Sequence, residues 1–128
     1  MNKLHTRVVT ADDDADIRGL VEIAVTKAGL ELVSIADDGP SALKAIRETR
    51  PDLVVLDVSM PGMSGLEVCR AVRADPELTG TAIVLLSAAV DDQSRVAGIQ
   101  AGAIEFLSKP FSPNELSKRL AFIVDVLL

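Results

Sequence analysis

At 128 residues and 13.5 kDa the chain has room for one domain with a core of its own, spanning residues 1–128. Lys plus Arg is 13 and Asp plus Glu is 19, a formal charge of −6 with no dense basic run, so direct nucleic-acid binding by this chain is excluded as an expectation. Three phenylalanines are the only aromatics, too few for a base-stacking platform, and the lone Cys69 can form neither an internal disulfide nor a zinc cage.

The start, Met1–Arg7, has no apolar signal core, and the run Ala121–Leu128 is broken by Asp125 and too short to cross a bilayer. A cytoplasmic address without membrane contact is expected. Arg7–Ala11 reads as a first strand. A helix from about Ala15 to Ala28 follows, with Ile17, Leu20, Val21, Ala24, Val25 and Ala28 on one face and Gly29 suited to its C-terminal cap. Glu31–Ala36 is a weaker second strand, and Ser41–Glu48 a short helix opening just after Pro40. Asp52–Asp57 is a continuous apolar run closed by a carboxylate, as expected of a strand buried on both faces of a parallel sheet.

Ser64 with Glu67 three residues on is a capping-box pattern; Leu66, Cys69 and Val72 follow at helical spacing, which makes Cys69 a small core residue. Thr81–Ser87 is another doubly buried strand. A helix from about Asp92 to Ala101 stops at Gly102, and Ala103–Leu107 is a short fifth strand. Ser112, Pro113 and Glu115 open a last helix carrying Leu116, Leu120, Ile123, Val124 and Leu127 on one face. Five strands alternating with five helices predict an α/β fold: a single doubly wound, five-stranded parallel sheet joined by right-handed crossovers.

In such sheets ligands sit beyond the C-terminal ends of the strands. Asp12-Asp13-Asp14 follow the first strand, Asp57 ends the third, Ser87 ends the fourth, and Ser108-Lys109-Pro110 follow the fifth. Taken singly each has an ordinary explanation: Asp14 or Asp16 as a helix cap, a lysine as a solvated charge. Together they put several carboxylates, a hydroxyl and an ammonium on one rim. Two unit charges about 4 Å apart repel by roughly 4 kcal/mol at an effective dielectric near 20, so the cluster needs compensation beyond Lys109. A hard divalent cation with oxygen ligands, Mg²⁺, fits, and such a site is suited to receive a phosphoryl group.

Val9-Thr-Ala-Asp12-Asp13-Asp14, Asp57-Val-Ser-Met60-Pro61-Gly-Met-Ser-Gly65, Ser87-Ala-Ala89 and Lys109-Pro110 closely resemble the receiver domain of two-component response regulators, over essentially the whole chain. The resemblance implies a flavodoxin-like sheet of strand order 2-1-3-4-5. It also implies transfer of a phosphoryl group from the phosphohistidine of a sensor histidine kinase, or of a phosphotransfer protein, to an aspartate. On this sequence Asp57 matches the phosphoacceptor. Asp12 and Asp13 match the acidic pair that organises Mg²⁺, Asp13 directly and Asp12 through water, with Asp57 and the backbone carbonyl of Ser59 completing the protein ligands. Lys109 and Ser87 match the groups that bind phosphoryl oxygens, and Phe106 the aromatic whose rotamer responds, turning inward as the Ala88–Val90 loop moves. Lys109–Pro110 would be a cis peptide.

The chain departs from the common pattern at Phe106, where Tyr is frequent, and at Ser87, where Thr is more usual. Ser59 and Ala89 leave no acid or amide to orient a hydrolytic water, which implies a long-lived phosphoryl-aspartate. The one histidine, His5, lies away from the rim, so the phosphoryl donor is another molecule. The output surface is expected on the fourth helix, fifth strand and fifth helix, where Phe122 and Val126 lie off the core stripe near Arg119 and suit a homodimer or a downstream effector.

An enzyme reading competes. In a haloacid-dehalogenase-like phosphatase Asp12 would be the nucleophile and Asp14 its acid-base partner, which leaves Asp57 and Met60-Pro61 without a role. A flavodoxin-like cofactor carrier, or an interaction module indifferent to phosphorylation, is a further rival; scarce aromatics and the complete set of rim residues weigh against both.

Overall fold

The computed structural model describes residues 5–88, 91–109 and 112–128. Five strands and five helices alternate along the chain: β1 (Arg7–Ala11), α1 (Ala15–Lys27), β2 (Glu31–Ala36), α2 (Gly39–Thr49), β3 (Leu53–Asp57), α3 (Gly65–Ala74), β4 (Ala82–Ser87), α4 (Asp92–Gln100), β5 (Glu105–Ser108) and α5 (Pro113–Leu127). All strand pairs are parallel, in the order β2-β1-β3-β4-β5. The order reverses between β1 and β3, and the crevice this opens lies beyond Ala11 and Asp57.

Alternate residues of the central strands feed two separate cores. Val9, Val54, Leu56, Ile83 and Leu85 point toward α2, α3 and the end of α4, where Ile46, Val68, Cys69 and Val72 meet them. Val8, Leu53, Val55, Val84 and Leu86 point the other way, onto Val21, Ala24 and Val25 of α1 and Leu116, Leu120 and Ile123 of α5. Every residue of β3 and β4 is buried, as their unbroken apolar runs require. Cys69 is a core residue, its thiol donating to the Ala101 carbonyl at 3.2 Å, and burial pushes that thiol up from its ordinary value.

The helix starts follow the capping chemistry. Ser64 and Glu67 form the reciprocal capping box on α3; Ser112 accepts from Glu115 N on α5, with Pro113 in the first turn. Asp14, not Asp16, caps α1, accepting from the amides of Asp16 and Ile17. α2 begins two residues earlier than expected because Asp38 caps it ahead of Gly39 and Pro40. The fifth strand is shifted: Ala103 and Ile104 precede it, the Ile104 amide already donating to Ile83 O of β4 at 2.8 Å, and residue-to-residue pairing starts at Glu105. A 3-10 turn at Pro76–Leu78 was not anticipated. Leu127, placed on the inner stripe of α5 by periodicity, is 52% exposed, one turn past the last buried residue, Val124.

Candidate phosphoacceptor site

The site grows out of strand ends. Asp12 is the first residue after β1, and its amide donates to Ala36 O of β2 at 3.2 Å, which holds the chain in register one step past the strand. Its Oδ1 accepts the amide of Asp14 at 2.9 Å, and the Arg18 guanidinium returns from α1 to the Asp12 carbonyl at 2.9 Å. The Asp12 side chain is thereby fixed and 1% exposed, whereas Asp13, the next residue, opens to solvent. Asp57 is the last residue of β3 and is 4% exposed; its Oδ1 accepts the Ser59 amide at 3.3 Å.

Lys109 follows β5 and is anchored by its own amide on Ser87 O at 2.8 Å. Its ammonium lies 3.0 Å from Asp12 Oδ2 and 3.0 Å from Asp57 Oδ1, with the side chain 17% exposed. One ammonium therefore bridges two buried carboxylates. Burial pushes the Asp57 carboxyl up from its ordinary value; Lys109 opposes the rise without cancelling it, and Asp12 reinforces it. Burial alone would lower the Lys109 ammonium, but the hydrogen bonds and negative charge of Asp12 and Asp57 prevail and hold it above its usual value.

Asp12, Asp13 and Asp57 each offer a carboxylate oxygen, all within 4.8 Å of one another. Three carboxylates and one ammonium sum to 1 − 3 = −2. Asp12 Oδ2 is buried, with the Lys109 ammonium at 3.0 Å as its ion-pair partner. An all-oxygen, negatively charged set with a buried lone pair to spare fits a hard divalent cation of the Mg²⁺ class.

The loop after Asp57 is held by close backbone approaches. The amide of Gly65 donates to Val58 O at 2.8 Å, and a Cβ at Gly65 would run into the Asp57 carbonyl. Gly39 donates to Pro61 O at 3.1 Å and has equally little room against Met63; Gly62 turns the loop with φ +80° beneath Pro40. The spacing Asp57-x-x-Met-Pro-x-x-x-Gly65 is thus a packing requirement: α3 starts directly behind Asp57, and only glycine fits there.

Ser87 is buried at the end of β4, one residue past Leu86, the β3 Asp57 partner. It shares a cleft of about 210 Å³ with Val58, Leu66, Ser94, Ala97 and Phe106. The Phe106 ring is inward, 2% exposed, against Gly98 of α4. Asp12, Asp13, Asp57 and Lys109 are gathered as the sequence suggested, Ser59 adjoins Asp57, and Ser87 and Phe106 line the neighbouring cleft. Ala89, Val90 and the Lys109–Pro110 peptide lie outside the described residues. Sequence reasoning named Gly65 only as part of a motif and passed over Gly39, Gly98 and Arg95, although a glycine inside a helical pattern is itself a signal of close packing.

An α/β switch-point crevice holding an acidic trio and a bridging lysine defines a phosphoacceptor-type signalling fold. The chain belongs to the response regulator receiver domain family, whose model matches residues 8–121. It is 41% identical over 120 residues to the DNA-binding response regulator MtrA of Mycobacterium tuberculosis, a match covering 94% of this chain and 51% of that protein. The chain thus spans about half the length of the curated relatives it matches. Chemotaxis response regulator CheY4 of Vibrio cholerae shares 34% identity with a TM-score of 0.83, covering 91% of this chain and 96% of that one. The receiver domain of Francisella response regulator 1452 gives 27% identity and a TM-score of 0.85 over 97% of this chain and 100% of its own. The phosphatase reading is not supported: the family model that matches residues 8–121 is the receiver domain, and the Asp14 carboxylate it needs as an acid-base partner is committed to capping α1. Among the described residues no helix is long and apolar enough to cross a membrane.

Proposed function

We propose that Asp57 accepts a phosphoryl group from the phosphohistidine of a sensor histidine kinase or a phosphotransfer protein. A carboxylate oxygen of Asp57 attacks phosphorus, the P–N bond breaks, and its electron pair stays on the donor imidazole. Asp12, Asp13, Asp57 and the backbone carbonyl of Ser59 would hold Mg²⁺, which when bound neutralises charge on the carboxylates and the transferring group. Lys109 is the point charge for a phosphoryl oxygen, and the Ser87 hydroxyl a donor for another. The observation that carries this reading is the Lys109 ammonium at 3.0 Å from both Asp12 Oδ2 and Asp57 Oδ1, with the Asp13 carboxylate in the same cluster. Lys109 already touches the acceptor, so the incoming group meets a cation without a side-chain search.

Incubation with acetyl phosphate, with Mg²⁺ or with excess chelator, followed by intact-mass measurement tests the proposal. The wild type gains one phosphoryl group only with Mg²⁺, and Asp57→Asn gains none. Uptake by Asp57→Asn equal to wild type overturns the assignment. Because Ser59 and Ala89 provide no acid or amide to orient water, the adduct persists for minutes or longer at pH 7; decay within seconds contradicts that part.

The output face we assign is α4, β5 and α5. Val96, Ile99, Ile104, Phe122 and Val126 are exposed there, crossed by the Arg119–Glu105 ion pair at 2.8 Å. A homodimer or a downstream effector covers it after phosphorylation, and the DNA-binding names of the longer relatives make a DNA-bound output of the full protein the reading we favour. Phe122→Asp should abolish phosphorylation-dependent association in sedimentation or light scattering; unchanged association rules the face out.

A further inference from the structure

Phe106 is held from the α4 side by two residues that the phosphoacceptor chemistry does not use. A Cβ built on Gly98 would lie 2.5 Å from Phe106 Cδ2, 3.0 Å from Cε2 and 3.3 Å from Leu85 Cδ1. Leu85 is wholly buried in the middle of the sheet and has no room to retreat. The absent side chain at position 98 is therefore the space the ring occupies. Three residues earlier, one turn back on the same helix, Arg95 donates from Nη1 to the Phe106 carbonyl at 3.1 Å, with its guanidinium carbon 6.0 Å from the ring centroid. One residue thus makes room for the ring, and the other ties α4 to the backbone that carries it.

A glycine within a helix costs about 1 kcal/mol relative to alanine, so Gly98, in the last turn of α4, calls for a packing reason, and the ring supplies one. Phe106 carries no hydroxyl to seek water, and nothing polar opposes its burial. On α4 the neighbours of this pair, Val96 and Ile99, are about half exposed on the outer face. On the inner side the ring shares its cleft with Ser87.

We infer that Gly98 and Arg95 form a seat that selects the inward position of Phe106 and passes it to the exposed face of α4. The coupling to Asp57 rests on the phosphoacceptor reading; the seat itself does not. If inward Phe106 and a phosphoryl-bearing Asp57 favour one another, linkage is reciprocal. Emptying the seat must weaken binding of a phosphoryl mimic by the factor by which the inward population falls.

The chain has no Trp or Tyr, so the probe is 4-fluorophenylalanine incorporated at its three phenylalanines and read by ¹⁹F NMR, with Phe106 assigned by Phe106→Leu. The H₂O/D₂O solvent isotope shift reports ring exposure, and titration with beryllium fluoride in Mg²⁺ reports coupling. The wild-type Phe106 signal shows a small isotope shift beside the large shift of exposed Phe122. In Gly98→Ala and Arg95→Ala the Phe106 shift moves toward that of Phe122, and the beryllofluoride midpoint rises about tenfold, as a tenfold loss of inward population requires. Arg95→Lys, which can still donate to the carbonyl, recovers most of the wild-type behaviour, and the double variant falls short of the product of the singles because both act on one position.

Should Gly98→Ala fail to fold, Arg95→Ala decides, since Arg95 is a surface residue. Isotope shifts unchanged in the folded variants overturn the seat. Shifts that move while the midpoint stays at the wild-type value overturn its coupling to the site. Absence of any beryllofluoride response in the wild type strikes the phosphoacceptor reading, and the isotope shift alone then judges the seat.

Discussion

At the amino-terminal end of the sheet, Asp52 Oδ2 accepts the Arg7 amide at 2.9 Å, and the Arg7 guanidinium donates to Thr49 O. Around them Arg50 pairs with Glu77 at 2.8 Å and Arg47 with Asp75 at 3.8 Å, so charges there meet opposite charges or backbone. At the carboxy-terminal end of the same strands, Asp12 and Asp57 share one ammonium, and the Asp13 carboxylate lies in the same cluster. Both ends are built from the same alternation of strand and helix, so the fold does not impose the imbalance. One rim is neutralised for stability, and the other is left short of positive charge, a state that costs folding energy and favours cation and phosphoryl chemistry.

The difference can be broken from the deficient end first. Replacing Lys109 by Met removes the one ammonium between two buried carboxylates. A loss of about 3 kcal/mol is expected, the lower end for breaking a buried pair because the lysine is partly solvated. That is a fall of roughly 10 °C in melting temperature for a chain of this size, read by circular dichroism. A melting temperature unchanged by the substitution would mean that the carboxylates need no compensation.

Mg²⁺ should act in the opposite sense. At one hundred times its dissociation constant it stabilises the wild type by about 2.7 kcal/mol. Asp13→Asn should lose most of that gain while folding normally in its absence, because Asp13 is exposed.

A smaller and opposite effect is expected of Asp57→Asn. Burial raises the folded-state value of Asp57 above the ordinary carboxyl value of 3.8, so its ionised form destabilises the fold. That penalty is absent below 3.8, grows as pH rises toward the folded-state value, and is complete above it. In Mg²⁺-free buffer Asp57→Asn should therefore melt higher than the wild type at neutral pH, and the two curves should converge in acid. A lower neutral-pH melting temperature for the variant would contradict the sign. Smallest of all, Arg47→Ala at the balanced rim should change stability by no more than about 0.5 kcal/mol, because the Arg47 side chain is exposed and its ion pair long.

Much of this division was visible in the sequence. β3 and β4 are unbroken apolar runs whose carboxy-terminal residues, Asp57 and Ser87, can only lie at the strand ends. The Ser64–Glu67 and Ser112–Pro113–Glu115 patterns marked two helix starts to the residue, because capping is local chemistry. Boundaries failed where tertiary pairing decides: Ala103 and Ile104 are as apolar as a strand requires, yet residue-to-residue pairing to β4 starts at Glu105. For the site, the acidic trio and Lys109 were legible as residue types at strand ends. Their 3.0 Å contacts were not, nor was the reason for Gly65, because a missing side chain reveals what it avoids only once the Asp57 carbonyl is in place.

Borohydride reduction of the acetyl-phosphate-treated protein, followed by peptide mass mapping, bears most directly on the central assignment, because it converts a phosphorylated aspartate to homoserine at the modified position. Homoserine at position 57 alone, formed only when Mg²⁺ was present, is the predicted result. Homoserine at position 12 or 13, with position 57 intact, would contradict the account.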